Sequence, residues 1–127
     1  MRGDSVSSKD NEYTQKGYWG TSTYPDYLEK NANDYPNKEA IIDSKQRWSF
    51  RKFNNTVNRL AIFLLKLGIK RGDIVGLQIP NCCEYLLSRY ALAKIGAITL
   101  SLTPNLRKKE LKHIFALTKP KAAITFE

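Results

Sequence analysis

Cysteine and histidine are scarce in this sequence. Cys82 and Cys83, which are adjacent, are the only cysteines among 127 residues, and His113 is the only histidine. Neighbouring cysteines lack the two-residue gap of a zinc knuckle, and a disulfide between them would be strained. No metal-ligand cluster and no acidic pair suited to glycosidic chemistry is apparent. We therefore predict two buried, reduced thiols and no metal-binding residue.

Long apolar runs are also missing. The first residues, MRGDSVSSKDNEYTQKG, are polar and lack the apolar core of a secretory signal. No segment has the roughly 18 unbroken apolar residues that a membrane span requires. We therefore expect a cytoplasmic protein without a membrane span.

The glycine-rich motifs of nucleotide enzymes are absent too. Neither G-x-G-x-x-G, G-x-x-x-x-G-K-[ST] nor the nucleophile elbow G-x-S-x-G occurs. Residues 66–81, KLGIKRGDIVGLQIPN, combine three glycines with three cations, but Gly68 follows an amphipathic stretch, where a helix stop belongs. Residues 70–73 then form a polar turn, and residues 73–79 have the length of a buried strand. This segment is predicted to be scaffold and not a phosphate loop.

Positive charge is in excess. The formal net charge is +9, and residues 1–22 contribute none of it because their cations and anions balance. An excess of this size is typical of a protein that binds nucleic acid, acidic membrane or a polyanionic ligand such as ATP or coenzyme A, and equally of one basic face of a larger chain. The densest patch comprises Arg107, Lys108, Lys109 and Lys112. Glu110 interrupts it and no aromatic residue interleaves, which favours a solvated helix face over a nucleic-acid site.

The front half of the chain alternates helices with a hairpin. Apolar spacing predicts a helix over residues 24–35, capped by Thr23 and ended by Pro36. Residues 38–43 and 47–50 read as two hairpin strands, with Ala40 and Ile42 on one face. A long helix with Ser49 as its N-cap then follows. Lys52 stands where a capping box has Glu or Gln, so the reciprocal bond is predicted to be missing.

From residue 73 onward the order is β-α-β-α-β with short connections. The pattern of Asn81 and Glu84 predicts the start of a mostly buried helix over residues 82–96. Strands are predicted at 97–102 and 121–126, with a helix at 107–117 between them. This order is typical of an α/β fold, a parallel-sheet subdomain with helices on both faces. Because the sheet is short and the far side of the 82–96 helix has no obvious cover, we expect the front part of a longer protein with exposed apolar surface.

Candidate catalytic groups are few. His113 lies in a lysine-rich helix without a cysteine or serine partner at catalytic spacing, so a surface position is favoured over a role as base. Cys82 and Cys83 stand near a helix start, which lowers a thiol pKa, but packing is favoured over reactivity. We therefore predict no catalytic and no cofactor-binding residue.

An ensemble of scattered residues resembles one known family. Residues 18–126 resemble the N-terminal subdomain of the acyl-adenylate-forming enzymes, the AMP-dependent synthetases and ligases that include the acyl-CoA synthetases. Lys52 and Phe53 depart from the Glu and Leu that this family usually shows. The order and spacing match at Pro36, Ala40, Trp48, Ser49, Phe50, Asn58, Arg59, Leu60, Ala61, residues 67–75, Pro80, Asn81, Glu84, Ala93, Gly96, Ala97, Pro104, Glu110 and Leu111.

The resemblance implies a chemistry in two steps. A carboxylate attacks Mg-ATP to give acyl-adenylate and pyrophosphate, and a thiol, often coenzyme A, then takes the acyl group. The phosphate loop, the adenine and ribose contacts and the catalytic lysine of the family would all lie beyond Glu127. None is carried over to this chain, which is expected to bind no cofactor alone.

Three functional interpretations follow. The first is an N-terminal scaffold fragment of a carboxylate-activating ligase, which is inactive alone. In this interpretation, residues 1–17 are a polar tail and residues 18–127 are a truncated synthetase domain. Its partners would be the remainder of the same polypeptide and, in the longer protein, a carboxylic acid. The second is a small basic module that binds nucleic acid or another polyanion. The third is a truncated, non-catalytic relative that regulates a full-length ligase.

Overall fold

The computed structural model describes residues 8–126, so residues 1–7 of the predicted polar tail and residue 127 lie outside the described residues. Within that range, no helix combines the length and the apolar character needed to cross a bilayer. The elements are α1 (Ser8–Gln15), α2 (Tyr24–Asp34), β1 (Glu39–Ile42), β2 (Arg47–Ser49), α3 (Phe50–Lys66), β3 (Ile74–Gln78), α4 (Cys83–Lys94), β4 (Ile98–Ser101), α5 (Lys108–Thr118) and β5 (Ala122–Thr125).

The N-caps of α2 and α3 are as predicted. At the start of α2, the Asp26 carboxylate accepts hydrogen bonds from the backbone N–H and the hydroxyl of Thr23. At the start of α3, the Ser49 hydroxyl accepts a hydrogen bond of 3.3 Å from the backbone N–H of Lys52. The bond to Ser49 satisfies an N–H group of the first turn of α3, and the bonds to Asp26 satisfy the N–H and the hydroxyl of the N-cap residue Thr23.

The predicted hairpin forms, but one of its faces differs from the prediction. Strands β1 and β2 pair antiparallel, and their register shifts between Glu39 and Ile41. Ile41 is buried, whereas Ile42 is exposed and Ala40 is only half-buried. The prediction that Ala40 and Ile42 lie on one face is not matched by their burial, since Ala40 packs against the core and Ile42 does not. The register shift interrupts the two-residue alternation on which that prediction depended.

The second half forms a parallel sheet of strand order β4-β3-β5. Ile74 pairs with Ile98 on one side of β3, and Val75 pairs with Ala122 on the other. The two crossovers run in opposite directions across the sheet, and right-handed connections then place α4 and α5 on opposite faces. The predicted α/β fold with a helix-covered parallel sheet is confirmed.

Helix α4 is enclosed more fully than the sequence indicated. Arg89 is its only exposed residue, as expected for a helix buried around most of its circumference. The expectation that its far side lacks a cover is wrong, because α2 and α3 both pack against it. The ring of Tyr90 meets the edges of Phe53 from α3 and Tyr24 from α2, at centroid distances of 5.2 and 4.8 Å.

One hydrophobic core joins the hairpin, α2, α3, α4 and the central strand. Helix α5 contributes no buried residue to it. The buried apolar residues of this core are Leu28, Ile41, Trp48, Phe53, Val57, Ala61, Leu64, Ile69, Val75, Leu77, Ile79, Cys83, Ala91, Leu92 and Ala97.

Candidate functional site

The carboxyl ends of the parallel strands open onto a cleft of about 680 Å³. In α/β sheets, ligands bind at this edge, at the point where successive crossovers leave in opposite directions. Here that point lies between the carboxyl ends of the neighbouring strands β3 and β4, whose crossovers lead in opposite directions. We call this feature the carboxyl-edge cleft. Its walls include Gln78, Leu106, Arg107, Lys108, Lys112 and Phe126.

Gln78, the last residue of β3, fixes one wall of the carboxyl-edge cleft. Its side-chain Nε2 donates to the backbone carbonyl oxygen of Leu106 at 2.9 Å and lies 3.3 and 3.4 Å from those of Thr103 and Pro104. These carbonyls belong to the loop between β4 and α5. A single half-buried amide therefore sets the position from which α5 begins.

The mouth of the carboxyl-edge cleft is cationic. Arg107, Lys108 and Lys112 are all exposed there, and leucine and phenylalanine side chains line the interior. The Glu110 carboxylate turns back to accept the backbone N–H of Arg107 at 3.1 Å, which caps α5. None of the described lining residues is a Cys, His, Asp or Glu. The cleft can therefore attract an anion, but it offers no thiol, imidazole or carboxylate for acid–base catalysis.

Residues 66–81 form the predicted scaffold. Gly68 and Gly72 have left-handed backbone angles, with φ of 87° and 83°. Their N–H groups donate to the carbonyls of Leu65 and Gly96, and the N–H of Lys70 donates to the Asp73 carboxylate. A phosphate cradle needs several free N–H groups converging on one anion. These groups are already engaged, so the segment does not fit the phosphates of ATP.

A second polar cluster joins the hairpin to the start of α4. The Asp43 carboxylate accepts backbone N–H groups from Lys45 at 2.8 Å, Gln46 at 2.9 Å and Cys83 at 3.0 Å. Helix α4 begins at Cys83, with Cys82 as its N-cap residue and without a side-chain cap bond. The prediction that Asn81 caps this helix is therefore wrong, because Asp43, distant in the sequence, takes the N–H of Cys83.

The chemistry of this cluster favours structure over reactivity. Burial, reinforced by the adjacent Asp43 carboxylate, raises the pKa of the Cys83 thiol to about 11. The Cys83 thiol and backbone N–H groups hold the pKa of Asp43 well below its ordinary value of 3.8. Both cysteines are free thiols, Cys83 fully buried and Cys82 half-buried. Packing is thus confirmed for Cys83, whereas the prediction of two buried thiols is wrong for Cys82.

A chain of side chains continues from the same cluster. The indole N–H of Trp48 donates to Gln46 Oε1 at 2.8 Å, and Gln46 Nε2 donates to Glu84 Oε1 at 2.9 Å. The Cys82 thiol and the backbone N–H of Glu84 lower the pKa of Glu84, and Gln46 adds to the effect. Every member of this chain has a partner, which is what a rigid junction requires.

The remaining predicted candidates lie apart from these clusters. His113 is exposed on α5, as predicted, and so are the four cations of the basic patch. The described residues contain no group of three or more His, Cys, Asp or Glu side chains that could hold a metal ion. Sequence reasoning missed Gln78 and Asp43. Asp43 had a recognisable signal, since an Asp followed by a polar hairpin loop often accepts its own loop N–H groups.

Comparison with known proteins gives consistent results. The model of one family, AMP-binding enzyme, matches residues 28–127. The medium-chain fatty-acid–CoA ligase of Escherichia coli is 32% identical over 90% of this chain and 20% of its own length. The vibriobactin-specific 2,3-dihydroxybenzoate-AMP ligase of Vibrio cholerae is 32% identical over 87% of this chain and 20% of its own length.

A solved structure extends the comparison to three dimensions. The apo structure of MbtA from Mycobacterium smegmatis superposes with a TM-score of 0.82 at 28% identity. The superposition covers 89% of this chain and 21% of that one. The chain therefore spans about a fifth of the length of the relatives that it matches.

Proposed function

This chain belongs to the family of AMP-binding enzymes, and from that premise we propose that it is the N-terminal scaffold of an ATP-dependent ligase. The ligase would convert a carboxylate to an acyl-adenylate and then transfer the acyl group to coenzyme A. The names of the relatives, a fatty-acid–CoA ligase and an aryl-acid–AMP ligase, support this reaction class. The family assignment made from scattered residues is confirmed by the match over residues 28–127.

The geometry supports a scaffold role for the described residues. The glycine turns of residues 66–73 have engaged their N–H groups, and no Cys, His, Asp or Glu side chain lines the carboxyl-edge cleft. Among residues 8–126, no group of three or more His, Cys, Asp or Glu side chains could hold a metal ion. The engaged N–H groups of residues 66–73 carry this argument most directly. ATP, Mg²⁺ and coenzyme A are accordingly proposed as ligands of the longer protein, together with the carboxylic acid.

The proposal defines a division of the chain and a partner. Residues 1–17 precede the synthetase domain, and residues 18–127 form its first part. The remainder of the ligase would complete the carboxyl-edge cleft and supply the catalytic groups. Because the mouth of the cleft is cationic, the added segments would meet it with an anionic ligand or acidic side chains.

The test of inactivity is exchange of labelled pyrophosphate into ATP. The 127-residue chain is incubated with Mg-ATP and, in turn, medium-chain fatty acids and 2,3-dihydroxybenzoate. We expect no carboxylate-dependent exchange, with the Escherichia coli ligase as the positive control. Exchange that depends on a carboxylate and persists in a repurified sample would show that this chain holds a complete site.

A measurement on the native protein tests the proposed partner. The protein is captured from cell extract with an antibody against residues 1–22, and its intact mass is determined. We expect a mass several times the 14.6 kDa of this chain. A native mass of 14.6 kDa would overturn the proposal of one continuous ligase.

One observation favours a second candidate function, that of a polyanion-binding module. The cations Arg107, Lys108, Lys109 and Lys112 are all exposed on one segment, without an ion pair among the described residues. Affinity for single-stranded DNA that falls steeply with salt, and falls further in Lys108→Glu, would support it. Absence of binding at low salt would exclude it.

A further inference from the structure

The outward side of α3 carries an unusual mixture of side chains. Arg59, Ile62, Phe63 and Lys66 follow the spacing i, i+3, i+4, i+7, which places them on one face of the helix. Leu67, the residue after the helix, adjoins them. We call these five residues the α3 outer face. The opposite side of α3 packs into the core through Phe53, Val57, Ala61 and Leu64.

The apolar members of the α3 outer face are largely accessible to solvent. Ile62 and Phe63 are each 54% exposed, and Leu67 is 63% exposed. A surface helix of a globular protein normally buries one apolar stripe and turns polar residues outward. Because α3 already buries its stripe, a second set of large apolar side chains next to one another indicates an interaction surface.

The charged members of the α3 outer face are all positive. Helix α3 contains Arg51, Lys52, Arg59 and Lys66 and no acidic residue. Lys52 lies 4.9 Å over the Trp48 ring, so it is already engaged with the protein. In the described part of the chain, neither Arg59 nor Lys66 forms an ion pair. The two free cations therefore stand at either end of the exposed pair Ile62 and Phe63.

We propose that the α3 outer face adsorbs to a lipid bilayer that carries anionic headgroups. Large apolar side chains flanked by arginine and lysine suit the boundary between headgroups and acyl chains. Ile62 and Phe63 would enter that boundary. The long stems of Arg59 and Lys66 would lie along it and keep their charged ends at the lipid phosphates. Adsorption of this kind needs no helix that crosses the bilayer.

Charge also distinguishes this occupant from a second copy of the chain. A twofold contact between two α3 outer faces would bring Arg59 and Lys66 of one copy against the same cations of the other. Such like-charge contacts oppose association, and the net charge of +9 adds to the repulsion. The same cations attract an anionic bilayer. The proposal rests on α3 alone and does not depend on the proposed ligase function.

The test is co-sedimentation of the 127-residue chain with vesicles. Vesicles of phosphatidylcholine with phosphatidylserine are compared with vesicles of phosphatidylcholine alone. We expect binding to the anionic vesicles only. The double variant Ile62→Ser/Phe63→Ser and the single variant Lys66→Glu should each weaken this binding on the order of tenfold. Phe63→Trp should strengthen it, because tryptophan favours the interface.

Two matched variants separate this surface from non-specific attraction. Lys9→Glu makes the same change in net charge at an exposed position of α1, outside the basic patch of α5. Leu117→Ser removes an apolar side chain of α5 that is 72% exposed. Both should bind like the parent chain. Equal weakening by Lys9→Glu and Lys66→Glu, or the absence of vesicle binding by the parent, would overturn the proposal. The proposal would also be overturned if light scattering showed that the parent chain is a dimer and that the double variant Ile62→Ser/Phe63→Ser is a monomer. Circular dichroism confirms that each variant is folded.

Discussion

Asp43 shows how much a single carboxylate contributes to this fold. It accepts three backbone N–H groups, two from its own hairpin loop and one from the start of α4. The loop bonds close the hairpin, and the bond to Cys83 replaces the N-cap that Cys82 does not provide. One side chain thus satisfies the ends of two elements that are far apart in the sequence.

The low pKa of Asp43 predicts a specific pH dependence. A carboxylate with a lower pKa in the folded state stabilises the fold above its ordinary value of 3.8, and this contribution is lost as the pH falls below that value. We expect Asp43→Asn to have a lower denaturant midpoint than the parent chain at pH 7. The difference between the two midpoints should become progressively smaller below pH 3.8. Urea titrations at a series of pH values measure both midpoints. Asp34→Asn, on an exposed i,i+4 pair, is the control and should change little.

The cap of α3 gives a second prediction for one residue. Ser49→Ala removes the hydroxyl that accepts the Lys52 N–H. Loss of an N-cap costs about 0.5–2 kcal/mol, and we expect about 1 kcal/mol here. The free energy of unfolding from denaturant titration measures the change. Ser22→Ala, at an exposed position before α2, is the control. Equal unfolding free energies for the parent and Ser49→Ala would refute the cap.

At the scale of elements, Gln78 couples the sheet to α5. Removal of its amide in Gln78→Ala frees the carbonyls of the loop after β4. We expect faster hydrogen exchange at the N–H of Leu106 and in the first turn of α5, because the loop loses its anchor. Gln46→Ala is the control, since it removes the hydrogen bond from a side-chain amide to Glu84 at the start of α4 and should leave the loop after β4 unchanged. Unchanged hydrogen exchange at these amides in Gln78→Ala would show that the loop keeps its conformation without the Gln78 side chain.

The elements themselves were largely predictable from the sequence. Apolar spacing and local stop signals predicted helices α2 to α5, the hairpin and the parallel order, because those signals act over a few residues. Helix α1 was not predicted, since it lies in the segment interpreted as a polar tail. The start of α4 was predicted to within one residue, but its capping group was missed because the carboxylate comes from Asp43, across many intervening residues. The unequal burial of Ala40 and Ile42 was missed because a register shift in a short strand leaves no mark on a two-residue pattern.

Contacts between elements were the least predictable part. In the sequence, Phe53 was noted as a departure from the family pattern, and Lys52 was noted for that reason and for the missing capping box. In the structure, the Phe53 ring packs against Tyr90, and Lys52 lies over Trp48. The carboxyl-edge cleft was missed for the same reason, since its position follows from the strand order β4-β3-β5. Short connections predict a parallel sheet but do not determine which strand lies in the centre.

At the scale of the whole molecule, stability is unevenly distributed. Helix α3 buries Phe53, Asn54, Val57, Ala61 and Leu64, whereas α5 buries no residue. We expect the amides of α5 to exchange at least about tenfold faster than those of α3, because local opening of α5 exposes little apolar surface. Hydrogen exchange of the intact chain, followed by mass spectrometry, measures both helices. Equal protection of α3 and α5 would contradict this uneven distribution.

The central position of β3 has a consequence for synthesis on the ribosome. Strand β3 cannot pair with β4 until Ile98, the partner of Ile74, has been synthesised. It cannot pair with β5 until Ala122, the partner of Val75, has been synthesised. During that interval the nascent chain exposes an apolar strand with unpaired backbone groups on both edges. Closing the sheet therefore needs pairings between residues far apart in the sequence, which form slowly. Helices α3 and α4 are synthesised before β3 pairs with β5. Their packing would reduce the contact of β3 with other nascent chains until β5 has been synthesised.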